Sequence, residues 1–138
     1  MANKIQIDTP NAPRNAYSYS QGIRAGDFVF VAGQTPVDPA SGELVDGEIE
    51  AQTERVLENV KAILAAAGAT MGDVVKVTVH LSDLANFERF DPVYGRYFPE
   101  PKPVRTTVGS QLYGFLVEID VVAYLGDEAG SFTGPPSN

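Results

Sequence analysis

Arg105 stands in a short β-type run at 103–108, and a long apolar run at 115–125 follows it, carrying Glu118 and Asp120 among valines. A charge in such a segment is costly to fold without a use. An unpaired ionised carboxylate loses roughly several kcal/mol on leaving water, so it needs a partner, a shifted pKa or a wet cleft. The guanidinium of Arg105 is a planar fork of donors that matches a carboxylate and stays charged at any working pH. It is either an anion clamp or half of a structural ion pair at the end of a sheet, with Glu118 the natural partner. Glu118 and Asp120, two apart on a strand, share a face at roughly 7 Å, where one of them can position or deprotonate a water. Tyr19 offers a hydroxyl or a ring wall. Gly33, at the end of an apolar run, lets a ligand approach the backbone or merely turns the chain. His80 lies with Lys76 and Thr78 on a polar face and receives no catalytic role. Asp91, just before Pro92, most simply caps the helical turn that follows.

The composition excludes several other chemistries. The chain has 138 residues, 43% of them hydrophobic and 20% charged, which fits one soluble domain with a real core. Cysteine is absent, so disulfides, thiolate metal sites and a cysteine nucleophile are excluded. A single histidine rules out a multi-histidine metal site. A formal charge of −8 argues against a nucleic-acid partner. No leader pattern and no membrane-length apolar run is seen, so the expected location is the cytoplasm, without a membrane partner.

The elements that must position these residues are read from period and punctuation. Residues 1–14 are expected to be extended or loosely held, 17–21 to form a short strand, and 27–33 a buried strand. Residues 38–42 carry turn chemistry. From 48 to 67 the period becomes helical: Val56, Val60, Ile63, Leu64 and Ala67 form one stripe, with Gly68 as the C-terminal stop. The acidic residues of this helix are expected to be a solvated face. A strand at 74–81 places Val75, Val77, Val79 and Leu81 on one face. A helix at 84–97 is expected to break, or restart, near Pro92. Strands at 104–111 and 115–125 follow, and the Gly-, Pro- and Ser-rich tail at 126–138 is expected to be flexible.

This order predicts an α/β fold in which two helices cover one face of a five- or six-stranded mixed sheet. The last strand presents Phe115, Val117, Ile119, Val121, Ala123 and Leu125 to the helices. Its other face, with Leu116, Glu118, Asp120, Val122 and Tyr124, is too apolar to be left wholly in water. An uncovered half-apolar face asks for further copies of the chain, with sites at their boundaries.

Ala32-Gly33-Gln34, the helix at 54–68, Gly72-Asp73-Val74-Val75-Lys76, Pro103-Val104-Arg105 and Val117-Glu118-Ile119 resemble the reactive intermediate deaminase family, also called the RidA or YjgF type. The resemblance covers about 12–125 and treats the chain as one domain. It implies a chorismate-mutase-like fold, a homotrimer with clefts between subunits, and cofactor-free hydrolysis of 2-imino or enamine acids to 2-keto acids and ammonia. Arg105 would clamp the substrate carboxylate and Glu118 would hold the attacking water. Tyr19 and Gly33 would line the cleft. Three positions depart from the family pattern. Ala32 replaces a serine, Thr107 replaces a cysteine but can still bond a water, and Asp91 replaces an asparagine and would compete for Arg105.

Those departures suit a larger amino-diene acid of the aminomuconate type as an alternative substrate. They also suit a non-catalytic trimer that binds a small imino or keto acid. Ribonuclease activity ranks last, given the charge and the lone histidine.

Overall fold

A computed structural model of the protein describes residues 3–14 and 17–126. Three strands, β1 (Lys4–Ile7), β2 (Gly22–Ala25) and β3 (Phe28–Gln34), precede the long helix α1 (Ile49–Ala66). Then come β4 (Val74–Leu81), α2 (Phe87–Arg96), β5 (Val104–Gly109) and β6 (Val117–Tyr124). The sheet runs β1-β2-β3-β6-β4-β5, with β4 and β5 parallel and every other pair antiparallel. It is the expected mixed six-stranded sheet with two helices on one face. Most of the tail expected to be flexible lies outside the described residues.

Period-2 alternation builds the core. Val117, Ile119, Val121 and Ala123 of β6 are buried, as are Val29 and Val31 of β3 and Val77, Val79 and Leu81 of β4. The α1 stripe of Val56, Val60, Ile63 and Leu64 closes over them with no exposed surface. Gly68 ends α1 with φ +81°, where any side chain would be strained. Its N–H donates to the carbonyl of Ala65 and that of Ala69 to Leu64, the paired bonds of a Schellman stop.

Several expectations are corrected. Of the two expectations for residues 1–14, the extended one holds at residues 4–7, which pair with β2 at the sheet edge. The strand expected at 17–21 begins only at Gly22. Gln21 turns inward instead: its amide donates to the carbonyls of Thr9, Ala12 and Pro13, and its oxygen accepts from the Thr9 N–H at 2.7 Å. A buried amide must use its polar atoms, and closing this loop uses them. In β3 only alternate residues are buried, so Phe28 and Phe30 stand on the open face. In β4 a bulge between Val74 and Lys76 turns Val74 inward and Val75 outward, against the simple alternation. The break expected at Pro92 is absent. A 3-10 turn at Leu84–Asn86 leads into α2, and Pro92 lies inside that helix. The bond lost there falls on Glu88, whose carbonyl is on an exposed residue, while Phe90, Val93 and Tyr94 bury the opposite side. The acidic side of α1 is not simply solvated either. Arg89 of α2 pairs with Glu48 and Glu50, and the Tyr97 hydroxyl donates to Glu58 at 2.8 Å.

The other face of the sheet carries Phe28, Phe30, Val122 and Tyr124 beside Glu118 and Asp120, with the rings of Phe28 and Tyr124 5.1 Å apart. No helix among the described residues is long and apolar enough to cross a membrane.

Candidate functional site

Arg105 sits on β5, the edge strand, directly beside Val77 of β4. Because Val77 faces the helices, so does Arg105. Three rings of α2 receive its guanidinium: the carbon lies 5.3 Å from the Phe87 centroid, 5.9 Å from Phe90 and 4.6 Å from Tyr94. Such faces attract a cation and partly strip its water. Its Nη1 also donates to Asp91 Oδ1 at 2.6 Å. The Arg105 side chain is 23% exposed and that of Asp91 49%.

Asp91 is therefore no cap for a following turn. It lies inside α2, one turn before Gly95, and its carboxylate holds the arginine fork. Two residues along β5, Thr107 faces the same way beside Val79. Its buried hydroxyl finds no hydrogen-bond partner among the described residues. Burial pushes the Tyr94 phenol up to about 12, with Arg105 drawing it back. A cavity of about 350 Å³ opens here, lined by Asp91, Tyr94, Gly95, Lys102, Pro103 and Arg105.

Glu118 is elsewhere. It pairs across the sheet with His80, and Asp120 with Thr78, all on the open face. The expected Glu118–Arg105 ion pair does not form. Two strand spacings, roughly 10 Å, separate β6 from β5, and the two side chains leave opposite faces of the sheet.

The partners of Glu118 come from β3. Between Val31 and Gln34 the register slips, so Ala32 and Gly33 bulge opposite one residue of β6. A Cβ on Gly33 would lie 2.3 Å from Glu118 Oε2, so the carboxylate rests on the glycine itself. Tyr19 stands close enough for the Glu118 charge to add to the effect of burial in raising its phenol pKa. Burial raises the Glu118 carboxyl above its usual range, with His80 pulling it down and Asp120 pushing it up. Asp120 is raised as well, chiefly by burial, against His80 and Lys76. A second cavity, of about 270 Å³, is lined by Tyr17, Tyr19, Gln21, Gly33, Gln34 and Thr35, among others. Asn59, wholly buried in α1, supports that wall by donating to the carbonyls of Thr35 and Val37.

One chain thus carries two separate candidate clusters. Arg105, Asp91 and Thr107 form one on the helix side of the sheet edge. Tyr19, Gly33 and Glu118 form the other on the open face. No group of three or more His, Asp or Glu residues among the described residues is placed to hold a metal ion.

The family profile described as endoribonuclease L-PSP matches residues 9–125. The chain belongs to that family, the RidA/YjgF family. Among its relatives, a RutC family protein of Pyrococcus horikoshii is 52% identical over 88% of this chain and 98% of its own length. The chloroplastic Reactive Intermediate Deaminase A of Arabidopsis thaliana is 40% identical over 88% of this chain and 66% of its own. The crystal structure of E. coli TdcF with bound serine superposes with a TM-score of 0.82 at 38% identity, over 87% of this chain and 98% of that one.

Within this RidA-type framework, the aromatic bed of Arg105 escaped sequence reasoning. Leu84, Phe87, Val93, Tyr94 and Tyr97 read only as a partial apolar stripe, which leaves out Phe90 and says nothing of which strand the rings meet. His80 also escaped. Its hydrogen bond to Ser110 joins residues thirty apart, which only the parallel pairing of β4 and β5 brings together.

Proposed function

We propose that this chain hydrolyses reactive 2-imino acids, and the enamines that equilibrate with them, to 2-keto acids and ammonia. The site is completed between copies of the chain. The observation that carries this reading is the pair of half-sites: an anion clamp on one face, and a proton-holding carboxylate in a separate cleft on the other. One protomer presents each without its complement. Contact between copies across the half-apolar open face and its rim joins the Arg105 side of one to the Glu118 side of the next, and a closed ring of three satisfies both surfaces.

The chemistry asks for little beyond placement. A 2-imino acid is already electrophilic at its C=N carbon. Arg105 holds the carboxylate and Thr107 offers a hydroxyl to a water or to the substrate. Glu118 takes a proton from the attacking water as its oxygen bonds to that carbon. It passes that proton to the imine nitrogen to give a carbinolamine, then carries the hydroxyl proton to the same nitrogen as the C–N bond breaks and the C=O bond forms, so water and imine become ketone and ammonia. A carboxyl raised by burial suits both halves of that exchange.

The deciding experiment generates imino acids of graded side chain with an amino-acid oxidase and follows keto acid release with and without the protein. An amino-diene acid belongs in the panel. Acceleration supports the reading. Ligand-induced thermal stabilisation without turnover sinks it in favour of a binding protein.

Two variants test the half-sites separately. Asp91→Asn frees the Arg105 fork while leaving a side chain of the same shape. Since a half-exposed ion pair contributes little, KM should fall by about twofold to fivefold with kcat little changed. A rise in KM would show that Asp91 serves the substrate rather than competing with it. Gly33→Ala places a methyl where Glu118 Oε2 rests. The backbone there is permissive for alanine, so the fold should hold while kcat falls on the order of tenfold to a hundredfold. Unchanged turnover would place the working carboxylate elsewhere.

A further inference from the structure

His80 is the one histidine of the chain, and it stands on the open face of β4 as the cross-strand neighbour of Glu118. Neighbours in that position have Cβ atoms roughly 5 Å apart. Its ring does not hang free: Nδ1 lies 2.7 Å from Ser110 Oγ, just past the end of β5. Ser110 is itself fixed, because its N–H donates to the carbonyl of Leu81. We propose that His80, locked by Ser110 beside Glu118, is a positioning residue that supplies a positive charge holding the Glu118 carboxylate in its ionised, water-holding form.

The surroundings make this more than a chance neighbour. Glu118 has Gly33 and Tyr19 on its β3 side, neither bringing a positive charge, and Asp120 two residues along its own strand. Toward β4 it meets His80. The ring in turn faces Glu118 and Asp120 from β6, Ser110 from β5, and Lys76 further along its own strand. Lys76 is turned toward Thr78, with Nζ 3.4 Å from its hydroxyl, and its field falls on Asp120. Among the described residues, His80 is thus the only cationic side chain that draws the Glu118 carboxyl down. A hydroxyl partner is apt, since it accepts from an imidazolium and donates to a neutral ring. The ring therefore keeps its place whichever charge it carries.

The inference rests on the deaminase reading only for the use made of the carboxylate, so its test is independent of turnover. The Glu118 carboxyl of the full chain is followed by 13C NMR, its resonance identified by its loss in Glu118→Gln. Its midpoint should rise by about half a pH unit or more in His80→Leu. It should return to or below the wild-type value in His80→Lys, and fall between the two in Ser110→Ala, which keeps the ring but unlocks it. The acid limb of kcat/KM should move the same way. Equal midpoints in wild type, His80→Leu and Ser110→Ala overturn the proposal, as does a lower midpoint in His80→Leu. A protein that shows these shifts yet turns over no imino acid would keep the electrostatic pairing and discard the reaction.

Discussion

Arg105→Ala is expected to lower kcat/KM for imino acids on the order of a hundredfold to a thousandfold. Removing one partner of a desolvated, hydrogen-bonded charge pair costs about 2–5 kcal/mol. Here the missing partner would be the substrate carboxylate. Most of the loss should fall on KM, because the carboxylate is held alike in ground and transition states. The part that falls on kcat measures orientation. Stability should suffer less: three rings lose a cation, and Asp91 loses its partner but stays half in water. Arg105→Lys separates charge from shape, since it keeps the first and loses the fork and the stacking. Steady-state kinetics on one imino acid decides the matter, and activity in Arg105→Ala within threefold of wild type would remove Arg105 from the site.

Glu118→Gln should cost about a hundredfold or more in kcat with KM little changed, as loss of a positioned proton acceptor does. It should also raise stability at neutral pH, and the sign follows from burial. The folded protein holds the Glu118 carboxyl above its ordinary range, so the folded state binds that proton more tightly than the unfolded chain. The favourable contribution is whole below the unfolded value and is lost as pH rises through the folded one. Above that window the wild type carries a partly buried ion and glutamine carries none. The variant should therefore melt higher at pH 7, and the gap should close as pH falls toward 4. Melting curves across that range check it. A variant that melts lower at pH 7 would mean that Glu118 is structurally paired.

Where one face of an element is buried, the fold was readable from residue order. Alternating valines set β4 and β6, and Val56, Val60, Ile63 and Leu64 set α1. β1 was missed because its first three residues are exposed and only Ile7 is buried, which leaves no period to read. The bulges at Val75 and Gly33 are local slips that alternation cannot announce. Arg105, Glu118, Tyr19 and Gly33 were legible as candidates from residue type and order, yet their relative geometry was not. Whether Arg105 and Glu118 share a face depends on the phase of β5 against β6 through β4, and residue types carry no record of that register. The resemblance pointed to Asp91 as a competitor for Arg105, but the residues alone did not place it there. Pro92 suggested a break, and with a break the carboxylate would have stood at a helix start rather than on the side of α2 that meets the arginine.

The bond from Arg105 to Asp91 means that any anion reaching this guanidinium meets a fork already occupied by a tethered carboxylate. Small bystanders such as chloride, formate or acetate offer the fork no more than it already has, and they must come from dilute solution against a group held at high local concentration. A successful ligand has to add something further, by filling the cavity beside Tyr94 or by bonding the idle hydroxyl of Thr107. Under the proposed function, in a cell crowded with carboxylates, the pair would act as a background filter, exchanging some affinity for every anion against silence toward most of them.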